Sequence, residues 1–202
     1  MLHKLLNLLF WLGLALAFGG TIAIGAVAAP AVFSATRDAQ ITMPNIASPP
    51  LDLTTQAGGE IFGTILNRFA TLEGIALTLI FLALAGWIVT ARAVPATTWF
   101  IVGAFLFVVA LTLYDNYLLR PDVWSNRQTV RNEAPAHATD TKDTPWPARD
   151  YFDSLHHRSE LVGKIKAYAL LAILLTAAWR NPGARRRDKG SLQDAMRTSR
   201  RN

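Results

Sequence analysis

Between Lys4 and Arg37 the chain runs for 32 residues without a charged side chain, whereas a helix that crosses a bilayer needs only about 20 apolar residues. Residues 5–33 therefore predict a transmembrane helix, and the remaining chain has to be compatible with a polypeptide threaded through lipid. Within that run Gly13, Ala17, Thr21, Gly25 and Ala29 recur every fourth residue. This spacing places small side chains along one side of a helix, where another backbone can approach closely. The stripe is expected to pack inside one bundle, with contact between copies as the alternative.

A secretory signal also begins with a basic residue and an apolar run, and Ala26, Val27, Ala28 and Ala29 offer small residues for cleavage. Its apolar region is only about 7 to 15 residues long. The run here is roughly twice that, so an uncleaved first span is expected.

The 202 residues would fit one compact soluble domain, but 51% are hydrophobic and 17% charged, with the charges crowded between long charge-free intervals. That distribution is a membrane composition. Cysteine is absent, which excludes disulfides, thiolate metal sites and thiol nucleophiles. The net charge of +6 does not point to nucleic acid. From Arg180 onward there are eight Lys/Arg against Asp188 and Asp194, which accounts for the whole excess. A basic tail directly after an apolar segment is more simply a cytoplasmic topology anchor that meets anionic headgroups.

Residues 34–55 carry Pro44, Pro49 and Pro50 among Ser, Thr and Asn and predict an external loop. In 56–72 an apolar side formed by Ile61, Phe62, Ile65, Leu66, Phe69 and Leu72 opposes Glu60, Thr64, Asn67, Arg68 and Thr71. This is an amphipathic helix, lying in the membrane interface or extending the next span. Residues 73–92 and 96–118 predict the second and third spans, joined by a tight turn at Arg92 to Pro95. Residues 119–150, polar and proline-containing, predict a second external loop. A helix over 151–180 includes the fourth span, with Lys164 and Lys166 snorkelling at its outer end. Residues 181–202 form the basic tail. The expected fold is thus all-α: an integral membrane four-helix bundle with an additional amphipathic helix before the second span. Placing Lys4, Arg92 and the basic tail on one side puts both termini in the cytoplasm of a cell (inner) membrane protein.

Several strings, in order, resemble a known membrane family. They are Gly13, Gly19 and Gly20 running into Ala29-Pro30-Ala31-Val32-Phe33; Ala57-Gly58-Gly59-Glu60-Ile61-Phe62-Gly63 leading through Arg68-Phe69; and Phe152-Asp153-Ser154-Leu155-His156-His157-Arg158-Ser159 before the last span. The chain resembles the transmembrane protein 205-like family, whose bacterial members form a domain of unknown function. The resemblance implies a four-span bundle without a settled biochemical activity. Eukaryotic relatives are linked to drug and metal tolerance, an association that attaches to no particular residue of this sequence.

The predicted topology gathers Glu60, Arg68, Glu73, Asp115, His156 and Ser159 at the external side as a structural polar cluster. Glu60 or Glu73 is expected to pair with Arg68, and His156 and Ser159 to tie the fourth helix to that cluster. On a helix His156 and Glu160 are i,i+4 neighbours, as are Asp153 and His157, so these four are the candidate ligands for a divalent metal. Surface salt bridging is the simpler role for such pairs. The four histidines, His3, His137, His156 and His157, all lie outside the span centres, which argues against a membrane haem. No phosphate loop, His-Glu-x-x-His helix or nucleophile elbow occurs. The sequence predicts a multi-pass bundle with a structural or interaction role. Its expected partners are the lipid bilayer and another membrane protein or a second copy, not nucleic acid. The alternative is metal or small-solute handling, in tolerance or transport, through the outer cluster.

Overall fold

A computed structural model describes residues 1–43, 51–91, 93–137, 139 and 144–179. Those residues build an all-α four-helix bundle: α1 (Leu2–Asp38), α2 (Leu53–Thr90), α3 (Ala96–His137) and α4 (Pro147–Trp179). Each is long and apolar enough to cross a membrane. They contain 37, 38, 42 and 33 residues, so at about 1.5 Å per residue each exceeds the roughly 30 Å hydrocarbon core. The surplus is polar and lies at one end, where α1 finishes, α2 begins, α3 finishes and α4 begins.

Of the two readings of the amphipathic stretch 56–72, extension of the next span is the one observed: it is the first half of α2, which starts at the Asp52 cap and runs unbroken to Thr90. Three boundaries differ from those read in the sequence. The first helix does not end at residue 33 but continues through Pro30 to Asp38. The chain after residue 118 remains helical through Glu133 and a short 3-10 turn to His137, where a loop was expected. The last helix begins at Pro147, four residues before the expected start. Pro44, Pro49, Pro50, Arg92 and the basic tail from Arg180 lie outside the described residues.

The two internal prolines are accommodated in the same way. Proline has no N–H and its ring clashes with the carbonyl four residues back, which usually kinks or ends a helix. Pro30 follows a π-helical turn at Ala23–Ala28, and Pro121 follows one at Asp115–Leu119. Each proline is the second residue of the α-helical segment that follows. A wider turn just ahead of the ring relieves the register that the missing donor interrupts.

The most extensive helix contacts are α1 against α2 and α3 against α4, two antiparallel hairpins. The register of the first is set by glycines: a Cβ on Gly13 would lie 2.7 Å from the Ala76 carbonyl oxygen, and one on Gly58 would lie 2.7 Å from the Phe33 ring. Residues 15–22 of α1 also approach α4, joining the hairpins. Phe10, Leu14, Ile80, Ile101, Leu170 and Ile173 are buried where the four helices meet. In lipid such packing gains little from the hydrophobic effect and depends on close van der Waals fit and polar contacts. At the polar end Leu51, Val130, Ala134 and Trp146 form a second small core.

Candidate functional site

Between the hairpins α2 reaches α3 and α4 mainly through side chains, and the bridging side chains are charged. Nearest the apolar core, Lys166 Nζ of α4 donates to Glu73 Oε1 of α2 at 2.7 Å. Both residues are buried, Glu73 at 1% exposure and Lys166 at 4%. The spacing explains why Lys166 turns inward. Leu155, Val162, Lys166, Leu170, Ile173 and Ala177 are the buried residues of α4 and recur on one helical face. Lys164 lies off that face, exposed beside Glu160. The expectation that both lysines snorkel outward is thus corrected for Lys166, whose neighbours on its own face are apolar and whose counter-charge lies on α2.

The next layer is built by the π-helical turn of α3. A π turn closes on the fifth residue, and Arg120, five residues after Asp115, donates through Nε and Nη2 to Asp115 Oδ2 at 3.1 and 2.9 Å. Its Nη1 donates to the Leu66 carbonyl of α2 at 3.2 Å. Among the described residues Glu73 Oε2, Asp115 Oδ1, Asn116 Oδ1 and Thr112 Oγ1 are buried without a hydrogen-bond partner.

The outermost layer joins the first turns of α2 to the extension of α3. Glu60 lies 3.1 Å from Arg131 and 3.6 Å from Arg127. Arg127 donates to the Gln56 carbonyl at 2.7 Å, and Arg131 to the Gln56 side chain at 3.1 Å. Gln56 and Glu60 are one turn apart on α2, and Arg127 and Arg131 one turn apart on α3, so two i,i+4 faces meet. Burial, with Arg131 alongside, pulls the Arg127 guanidinium down to about 10, while Glu60 opposes the shift. It remains cationic at neutral pH. A hollow of about 300 Å³ adjoins this layer, lined in part by Asp52, Gln56, Arg127, Arg149 and Asp153.

The residues predicted from sequence do not form one cluster. Glu60, Glu73 and Asp115 lie in the seam, each paired with a cation other than Arg68. Arg68 is exposed and has no hydrogen bond or ion pair with a described residue. The expected pairing of Glu60 or Glu73 with Arg68 is corrected accordingly: their partners are Arg127, Arg131 and Lys166. His156, His157 and Asp153 are exposed on α4 and Ser159 is half-buried. His156 Nε2 lies 3.5 Å from Glu160 on the same helix, and the His156 ring stacks on Phe152 at 6.2 Å between centroids. Nothing places His156 against Glu60. Among the described residues no three His, Asp or Glu side chains come together as a metal would need.

The small-residue stripe also divides. Gly13 and Ala17 are buried at the α1–α2 contact, and the Thr21 hydroxyl donates to the Ala17 carbonyl at 2.7 Å. Gly25 is exposed and a Cβ there would meet nothing within 4 Å. Ala29 is half-buried. Sequence reasoning missed Lys166, Arg120, Arg127, Arg131 and Gln56. The signal was present: Arg120, Arg127 and Arg131 are spaced by seven and four residues, one face of a helix.

No family model matches the chain, and neither a curated protein nor a solved structure matches it.

Proposed function

We propose that this chain is a non-enzymatic structural or interaction bundle of the cell membrane, with both termini cytoplasmic and its polar helix extensions on the other side. The resemblance to the transmembrane protein 205-like family belongs to this proposal. What supports it is the matching of charges in the seam. Glu73, Asp115 and Glu60 each sit on a lysine or arginine, and two of these three contacts bridge different helices. Such a seam joins two hairpins, and among the described residues no three His, Asp or Glu side chains converge in it. Ionisable groups buried within a membrane bundle pair in this way when they hold helices together or serve a pathway.

Two measurements test it. Reporter fusions at both termini should be active only in the cytoplasm, and one inserted after Asp38 only outside. Metal analysis of detergent-purified protein equilibrated with Zn²⁺ or Ni²⁺ should give no stoichiometric ion, with no change in His156→Ala/Glu160→Ala. One ion per chain, lost in that double variant, would replace this proposal by metal handling.

A second function is favoured by one observation, the 300 Å³ hollow at the outer end that carries both Arg127 and Arg149 and both Asp52 and Asp153. Groups of both signs around a small concave space suit a zwitterionic solute. A raised melting temperature with amino acids or betaines, abolished in Arg149→Ala, would support solute handling there.

A further inference from the structure

Outside the seam, α1 and α2 leave a shallow groove of about 260 Å³ lined by Ile24, Thr64, Ile65, Arg68, Phe69 and Leu72. Its walls are almost wholly apolar, as a surface facing acyl chains should be. On the α1 side the π-helical turn contributes Ile24, beside Gly25, where a Cβ would meet nothing within 4 Å. On the α2 side Arg68 is exposed and without an ion pair to any described residue, with Thr64 and Ile65 one turn further out. The other arginines of the bundle's outer half that face α2, namely Arg120, Arg127 and Arg131, are all engaged.

Depth matters to the chemistry. Charge-free residues of α2 begin at Gly74, six residues after Arg68, so the Arg68 backbone lies about 9 Å along the helix from them. That is the outer edge of the headgroup region, which is about 5 to 8 Å deep beyond the hydrocarbon, and a long side chain can keep its charge there while its stem lies on apolar surface. A guanidinium without an ion pair to any described residue, at the headgroup edge of an apolar groove, is complementary to one kind of molecule, with an anionic head and a hydrocarbon tail.

We propose that the α1–α2 groove is a binding site for a phosphate-bearing anionic glycerolipid of the surrounding bilayer, with an acyl chain laid over Ile24, Phe69 and Leu72 and the phosphate on Arg68. The site stands apart from the seam and does not depend on what the seam does. Phosphate accepts two parallel N–H donors from guanidinium, so lysine would hold the headgroup as a point charge and glutamine would not hold it electrostatically.

Native mass spectrometry of the full chain, released from micelles doped with equal amounts of phosphatidylglycerol and phosphatidylcholine, tests the proposal. Wild type should retain phosphatidylglycerol about fivefold over phosphatidylcholine, the factor expected from one cation at an anionic headgroup. Arg68→Gln should lose that preference while still carrying lipid, and Arg68→Lys should keep most of it. Thr64→Trp, which fills the groove from an exposed position, should reduce retention of both lipids. Arg68 and Thr64 are exposed, so unchanged circular dichroism is expected in all three variants. Equal retention of the two lipids by wild type, or an undiminished preference in Arg68→Gln, would overturn the assignment. Lipid-free dimers that dissociate in Thr64→Trp would overturn it in favour of a second copy in the groove.

Discussion

Lys166 of α4 and Glu73 of α2 form a 2.7 Å ion pair sealed from solvent, with side-chain exposures of 5% and 1%. Removing two charges from water costs several kcal/mol per ion, recovered only when the partner is held in good geometry. Around this pair the local neighbours are apolar: Phe69, Ala76 and Leu77 on α2, Val162 and Leu170 on α4. Neither charge can be removed alone without stranding the other. The pair therefore specifies which faces of the two hairpins meet, in a solvent where apolar surface alone discriminates poorly.

The two ends of the small-residue stripe should behave differently. Gly13→Leu pushes a side chain into the Ala76 carbonyl and Ile80, and overpacking of this kind costs about 1–3 kcal/mol. Gly25→Leu projects into open space and should change stability by less than about 0.5 kcal/mol. Unfolding of the detergent-solubilised variants by added SDS checks both.

Glu60→Ala removes the carboxylate shared by Arg127 and Arg131 and leaves two guanidiniums side by side. Glu60 is 34% exposed, so solvent screens part of the loss and the cost is about 1–2 kcal/mol. Raising salt should recover some of the melting temperature in the variant by weakening the repulsion. A variant as stable as wild type at low salt would contradict the pairing.

Asp52 caps α2, accepting from the Thr55 hydroxyl at 2.6 Å, the Thr54 hydroxyl at 2.8 Å and the Thr54 N–H at 3.0 Å. These bonds, the Thr55 hydroxyl first, hold its carboxyl at about 2 instead of the usual 3.8. A folded-state value below the unfolded one means the unfolded chain binds the extra proton first. The contribution is complete above about pH 4 and is lost as the pH falls towards 2. Asp52→Asn should keep most of the cap and lose this pH dependence, whereas Asp52→Ala should cost about 1 kcal/mol at neutral pH. Hydrogen exchange at the Thr54 amide, followed between pH 2 and 5, reads the first turn directly.

The spans were legible because a charge-free run of bilayer length has no natural place in a soluble domain of this size. Three of the four helices follow from runs of that kind, and the fourth from a shorter run preceded by Lys164 and Lys166. The helix ends were not legible. Pro30 and Pro121 look like terminators, and their tolerance depends on π-helical turns just before them that no periodicity announces. The polar stretch after residue 118 reads as a spacer until Arg120, Arg127 and Arg131 are placed on a helix, where their shared face needs an acidic partner that α2 supplies at Glu60. Lys166 was hidden by Lys164 two residues away. On a helix those two face about 200° apart, so one can reach the interface only if the other turns towards the bundle. The two candidate metal ligands His156 and Glu160 share an exposed face of α4, and among the described residues no third His, Asp or Glu joins them.

A double-mutant cycle on Glu73 and Lys166, read from equilibrium unfolding in mixed micelles, tests the seam most directly. Glu73→Leu and Lys166→Met should each cost about 3–5 kcal/mol, because each strands a buried charge, and the double variant should return to within about 1 kcal/mol of wild type. Single variants that cost under about 1 kcal/mol and simply add in the double would show that the hairpins do not depend on this pair.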